Sequence, residues 1–333
     1  MQPAMTRKYS ERLGVLTGDQ LQAALDRFDL GALLDAEPAP VGLFGQNVFL
    51  TTDRSAYVLR GAPHPEWQFR KERFFTRLIH ERTEVPVPWP FLIDESPDIF
   101  GWAYALMPTM PGLQIGDPDV RATLSEPDRL ALARAMGENL ARLHGLTWPH
   151  CGEYDPDTGT IAPITTTFGE WAVARALRWL DLCLAASDAT TEADVAWVQD
   201  VINGARDALD VPFAPTIVHH DYKENNAVAE QTANGWRITG LFDVGGAFCG
   251  DPEEDLPRSI ATYMRDDDAL ARGFIQAYRA SRPLRPGFEQ RFSLYMLVDR
   301  LIIWEYGQRN RVWFEPGTTL REWAEPYTLF RLD

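Results

Sequence analysis

The sequence predicts an α+β chain with a small antiparallel β-rich lobe, a short connector and a larger, mostly helical lobe. Three observations carry this. Short β-rich runs cluster between residues 38 and 107. Helical spacing dominates from about residue 126 to 310. One irregular, Asn-rich polar island at 216–243 interrupts those helices. The chain has 333 residues, 45% of them apolar, which suffices for a sizeable core and argues against global disorder.

Residues 17–35 read as a helix followed by a turn, with Thr17 as cap and Gln20 at the capping-box position. Three short antiparallel strands fit Val41–Phe44, Val48–Thr52 and Ala56–Leu59, broken by Gly45-Gln46-Asn47 and Asp53-Arg54-Ser55. Residues 66–82 return to helical spacing, with Phe74/Leu78 and Phe75/Ile79 four apart, and Pro86, Pro88 and Pro90 follow. Two more strands fit Phe91–Asp94 and Trp102–Met107. Met107–Gly112 is rich in Pro and Gly and reads as the connector. The expected lobes are therefore 1–107 and 108–333. Helices are expected at about 126–145, 168–186, 191–208, 254–264, 268–280 and 287–310.

The net charge is −16, which argues against a nucleic-acid binder, because phosphate contacts need a basic surface. Residues 111–215 hold 16 acidic and 7 basic side chains. That segment is either a set of solvated helix faces or an acidic wall that attracts a cationic ligand. Cys151, Cys183 and Cys249 form no CxxC pair and fit a reducing compartment. No signal peptide and no apolar run of ~18 residues is visible, so a cytoplasmic protein without a membrane partner is expected. No protein partner is implied.

The polar island carries the chemistry. An apolar approach, Ile217-Val218, delivers His219-His220-Asp221; Asn226 follows five residues after Asp221; a second apolar approach ends at Asp243. Two loops each present an acid at the edge of a small apolar hairpin. This spacing suits metal-assisted phosphoryl transfer: one carboxylate acts on an acceptor hydroxyl, while an amide oxygen and a second carboxylate hold Mg²⁺ on nucleotide phosphates.

H-x-D-x-x-x-x-N followed by an apolar-flanked Asp resembles the catalytic and metal loops of protein kinases. With Gly250-Asp251-Pro252-Glu253-Glu254-Asp255-Leu256, the helix end Asn139–Leu146 and the strand Tyr57–Arg60, the chain over about 38–310 resembles the aminoglycoside phosphotransferase and choline kinase superfamily. The resemblance implies a protein-kinase-like bilobal fold and a small-molecule kinase using Mg²⁺ and ATP or GTP. It implies Asp221 as the catalytic Asp, His219 as the motif histidine bracing the loop, and Asn226 and Asp243 as Mg²⁺ ligands. His220 stands where the family has Gly. Asp251 and Asp255 are expected to stabilise the second loop and the helix start after it.

On the nucleotide side the family's strand cation falls on Arg60, an arginine where lysine is usual, with Glu72 as its helix partner; Arg60 can also be read as an exposed strand-end charge, and Glu72 as one of an i,i+4 helix pair with neighbouring bases. The loop containing Gly45, Gln46 and Asn47 would cover the phosphates, although it is no Walker A and reads equally as a hairpin turn. Met107 opens the segment whose backbone would read the purine. For the acceptor, Glu254, Asp299 and Glu305 are candidate ammonium-binding carboxylates, with pairing of the last two to Arg300 or Arg309 as the alternative. Trp171, Trp179, Trp304 and Trp313 are read as core, or else as an apolar wall or a choline-type cage. The first expectation is an aminoglycoside-like acceptor. A macrolide, amino alcohol, sugar or other hydroxylated metabolite is the alternative, and a non-catalytic kinase-like binding protein the second class.

Overall fold

The computed structural model describes residues 6–39 and 45–332. Two compact units divide the chain. The first holds the residues up to Thr123 together with Tyr154–Thr160 and Asn225–Gly245. The second holds Leu124–Glu153, Ile161–Glu224 and the residues from Gly246 onward.

In the first unit a five-stranded antiparallel sheet runs in the order Leu33–Pro38, Asn47–Thr52, Ala56–Gly61, Tyr104–Pro108, Leu92–Asp94. The period-2 pattern explains its inner face. Val48, Leu50, Leu59, Tyr104 and Leu106 are buried and pack with Leu16, Leu21 and Leu25 from the N-terminal segment. Thr17 does cap the helix Gly18–Asp26 in a capping box with Gln20. That helix is shorter than the sequence suggests. Asp29 and Gly31 turn the chain through left-handed conformations (φ 53° and 98°), and Leu33–Pro38 pairs as a strand where only a turn was expected. The hairpin Thr6–Ser10/Gly14–Thr17 was not anticipated either. The expected strand Val41–Phe44 lies outside the described residues.

The helix Gln68–Arg82 buries Phe69, Phe75 and Ile79 together with one carboxylate, Glu72. A second sheet pairs Ala227–Thr232 with Gly235–Leu241 and adds Leu113–Gln114 at its edge. Its register sets Ala227 opposite Leu241, so the residues just outside the hairpin, Asn226 and Phe242-Asp243, emerge side by side.

The second unit is helical: Glu126–Leu143, Phe168–Ala186, Glu192–Leu209, Leu256–Met264, Asp268–Ser281, Phe288–Asn310 and Leu320–Thr328. Phe288–Asn310 is buried around much of its girth. Leu294, Leu297, Leu301 and the fully buried Trp304 pack against Ala176, Leu180, Trp197 and Ile202. Trp171 and Trp179 pack at the margin of this core, and Trp313 is exposed. The helix expected from 254 begins at Leu256, after a 3₁₀ turn over Pro252–Asp255 that Asp251 caps through the Glu253 N–H. Two short strands, Thr216–Val218 and Phe248–Gly250, pair antiparallel and fix where the loop from His219 starts. Among the described residues no helix is long and apolar enough to cross a membrane.

Candidate active-site residues

The first unit holds a group built on Arg60. The strand Ala56–Gly61 places Arg60 opposite Asn47, and its guanidinium reaches Glu72 Oε1 at 3.2 Å and Asp243 Oδ1 at 3.0 Å. Burial alone would lower the Arg60 pKa, but the two carboxylates outweigh it and raise it. Burial pushes Glu72 up against the pull of Arg60, and the charge of Asp243 adds to the rise. Gln68 Nε2 donates to Glu72 Oε1 at 2.8 Å, and Gln46 Nε2 donates to the Gly61 and Ala62 carbonyls at 3.1 and 2.9 Å. Gln46 is thus a buried brace between its loop and the Arg60 strand. Gly45 takes φ 57°, and its carbonyl accepts from Ser10 Oγ at 2.6 Å. Residues 42–44 of that loop lie outside the described residues. The Met107 side chain packs with Phe69, Phe91 and Ala105, while its strand continues the sheet beside Val58.

Asn226 and Asp243 flank the base of the second hairpin, where the Phe242 N–H donates to the Asn226 carbonyl at 3.0 Å. Asp243 takes a left-handed φ of 66°, a costly conformation for a non-glycine residue and one found at functional sites. Both side chains offer hard oxygen atoms. Among the described residues no group of three or more His, Cys, Asp or Glu is arranged to hold a metal. A pair of oxygen ligands suits Mg²⁺, which usually takes one or two carboxylates and completes its shell with phosphates and water. The donor set fits a metal that arrives with a nucleotide.

The second unit holds the loop 219–224. Asp255, fully buried, accepts the backbone N–H groups of His219 and His220, both at 2.6 Å, and meets His144 Nε2 at 3.1 Å. It thus clamps the loop instead of capping the helix that follows it, the role expected from sequence. His219 is buried, and its Nδ1 accepts the Asp221 N–H at 3.3 Å. His220 takes φ 73°, a conformation open to glycine, and Arg175 Nη2 lies 2.8 Å from its Nε2. Burial and then Arg175 push the His220 pKa down to about 3, so its ring is neutral.

Asp221 is gripped from two sides. Lys223 Nζ lies 2.9 and 2.8 Å from its two oxygens, and Arg258 Nε donates to Oδ1 at 2.7 Å. Burial works to raise its pKa, but Arg258 and Lys223 outweigh this and hold the carboxyl well below the usual range. Arg258 Nη1 continues to Asp299 at 3.3 Å, and Asp299 also holds Arg300. Glu254 is buried against Arg175, and burial raises its pKa to about 7. Glu305 pairs with Arg309 one turn on, at 2.6 Å. Sequence reasoning missed Arg258, Lys223 and Arg175 as partners. Lys223 alone carried a local signal, since it stands two residues after Asp221.

The phosphotransferase enzyme family matches residues 35–289. A homoserine kinase of Methylobacillus glycogenes is 23% identical over 278 residues, covering 80% of this chain and 77% of that one. Among solved structures, a thermostable mutant of aminoglycoside phosphotransferase APH(4)-Ia, in ternary complex with ADP and hygromycin B, has a TM-score of 0.64 at 19% identity, covering 92% of this chain and 95% of that one. The GDP and kanamycin complex of APH(2″)-IIIa has a TM-score of 0.61 at 16% identity, with 91% and 93% covered. These likenesses show the protein-kinase-like fold, with antiparallel sheets in the first unit and helices in the second.

Proposed function

This chain belongs to the phosphotransferase enzyme family, and we propose that it moves the terminal phosphate of ATP or GTP to a hydroxyl of a small molecule with the help of Mg²⁺. It is a small-molecule kinase. The observation that carries the finer reading is the meeting of Asn226 and Asp243 at one hairpin base, with Arg60 bonded to Asp243 and Glu72. Oxygen ligands for a hard cation thus sit beside a guanidinium able to clamp a phosphate.

In this reading Arg60 is oriented by Glu72 and binds the nucleotide phosphates. Asn226 and Asp243 would hold Mg²⁺, which would supply charge neutralisation on the phosphate oxygens. Asp221 accepts a hydrogen bond from the acceptor hydroxyl and aims its oxygen at the terminal phosphorus. A bond from that oxygen to phosphorus forms, the bond to the bridging oxygen breaks, and nucleoside diphosphate leaves. The hydroxyl proton passes to Asp221 and then to water. Held ionised by Lys223 and Arg258, Asp221 is a weak base. That suits a loose transition state in which positioning matters more than early deprotonation. His219 braces the loop through the Asp221 N–H.

An aminoglycoside-like acceptor is supported by what the solved relatives bind, hygromycin B and kanamycin. The homoserine kinase relative supports a smaller hydroxylated metabolite. Glu254, Asp299 and Glu305 each hold an arginine, so none stands open to an ammonium group, and we favour the smaller metabolite. The free thiols of Cys151, Cys183 and Cys249 favour the reducing cytoplasm as its location.

The test is transfer of labelled terminal phosphate from ATP and GTP across aminoglycosides, macrolides, amino alcohols, sugars and hydroxy acids. The reading expects one acceptor class to take the label and Asp221→Asn to abolish the transfer. Nucleotide binding without any transfer would instead mark a non-catalytic kinase-like binding protein.

A further inference from the structure

His220 immediately precedes Asp221 and holds φ 73°, a backbone conformation natural to glycine and uncommon in residues with a side chain. Such a conformation is costly and tends to persist where the side chain has a task at a functional site. The His220 ring is pinned. Arg175 Nη2 lies 3.0 Å from its Nδ1 and 2.8 Å from its Nε2. Within the ring plane, so even a spacing from both nitrogens would drive Nη2 into the C–H group between them. The guanidinium therefore lies over the face of the imidazole.

Arg175 is itself fixed. It pairs with Glu254, and its guanidinium lies 5.1 Å from the centre of the Trp171 ring and 5.4 Å from that of Phe248. Two more sides of the His220 ring are packed. A Cβ on Gly246 would come within 3.3 Å of Cδ2, and Phe248 meets the ring edge to face at 5.9 Å. The residue still remains partly exposed. Burial and Arg175 keep the ring neutral, so it offers bulk rather than charge to whatever approaches Asp221.

We propose that His220 determines acceptor specificity: its pinned ring walls one side of the approach to Asp221, admits a hydroxyl at the end of an unbranched carbon chain and turns away one on a branched or ring carbon. The proposal rests on the phosphotransferase reading above. In that reading the groups that serve nucleotide and metal, Arg60, Glu72, Asn226 and Asp243, belong to the first unit. Asp221 and the side chains packed on the His220 ring belong to the second, so it is the acceptor's carbon frame that meets the ring. A glycine at this position would keep the backbone as it is and leave the volume of the ring empty.

The experiment measures phosphate transfer by wild type, His220→Gly and His220→Asn to pairs of alcohols that differ by one methyl on the hydroxyl-bearing carbon. Ethanolamine is paired with isopropanolamine and L-serine with L-threonine; sugars and aminoglycosides supply ring-bound hydroxyls. Glycine and asparagine both accept the left-handed backbone, so the two variants differ mainly in the bulk they leave beside Asp221. Wild type should prefer the unbranched member by at least ~10-fold in kcat/KM, the range for one methyl at a tight wall. His220→Gly should bring that ratio near one, and His220→Asn should fall between. A wild-type ratio near one overturns the proposal, as does a wild type that phosphorylates only ring-bound hydroxyls. An unchanged ratio in both variants also overturns it, since the ring would then only steady Asp221. A KM change for nucleotide larger than that for acceptor overturns it too, because the ring would then face the nucleotide. Loss of the fold in both variants, read by circular dichroism, would make the ring a structural pillar and likewise overturns it. Wild type that transfers phosphate to no alcohol at all would instead bring down the phosphotransferase reading, and the proposal with it.

Discussion

In the first unit a single guanidinium, Arg60, is shared by two carboxylates, Glu72 and Asp243; in the second, four cations, Arg175, Lys223, Arg258 and Arg300, are matched by four carboxylates, Asp221, Glu254, Asp255 and Asp299. The first group is short of positive charge and suits an incoming metal. The second is balanced, each of its cations paired with a carboxylate. The contrast shows how one chain with an acidic total can hold a balanced local group beside an acidic one, and why its net charge of −16 says little about the acceptor.

The contrast can be broken most sharply through stability. Arg60→Met leaves Glu72 buried without its cation and should cost about 3–5 kcal/mol, the range for stranding one partner of a buried pair. Arg258→Gln leaves Asp221 with Lys223 and Asp299 with Arg300, so it should cost no more than about 1 kcal/mol. Urea unfolding of the two variants measures this; equal losses would mean that Asp221 and Asp299 depend on Arg258 as fully as Glu72 depends on Arg60.

Next in size is the chemical step. Asp221→Ala should lower turnover by at least ~10²-fold while nucleotide affinity changes little, because the residue acts on the acceptor hydroxyl. Turnover preserved within a few-fold would assign the hydroxyl to another group.

A smaller effect concerns Glu254, whose pKa burial raises from 4.5 to about 7 in the folded protein. The folded state then binds the extra proton, so this residue makes stability fall as pH rises from about 4.5 to 7. Glu254→Gln should remove that fall, and its unfolding midpoint should gain on wild type between pH 5 and 8, by an amount worth about 1–3 kcal/mol. A pH profile parallel to wild type would mean that Arg175 fully compensates the buried charge.

The strands Asn47–Thr52 and Ala56–Gly61 were legible because short β-rich apolar runs stand between turn-forming residues, and the long helices of the second unit because their apolar residues recur every three or four positions. Leu33–Pro38 and the Thr6–Ser10 hairpin were not, since short edge strands with few β-branched residues carry little pattern. Leu320–Thr328 hides behind an internal proline, Pro326. At the site, His219, Asp221, Asn226 and Asp243 stood out by their mutual spacing. The Glu305–Arg309 pair was visible as a one-turn contact. Arg258 and Arg175 were not visible. They reach Asp221 and Glu254 from 37 and 79 residues away, and only tertiary structure brings such pairs together.

The division of labour between the two groups is tested most directly by titrating ATP and GTP into wild type, Asp243→Ala and Asp221→Ala by calorimetry, with and without Mg²⁺. The account predicts that Mg²⁺ tightens nucleotide binding in wild type and in Asp221→Ala, and that Asp243→Ala loses this dependence. Mg²⁺-dependent binding that survives in Asp243→Ala and disappears in Asp221→Ala would contradict it.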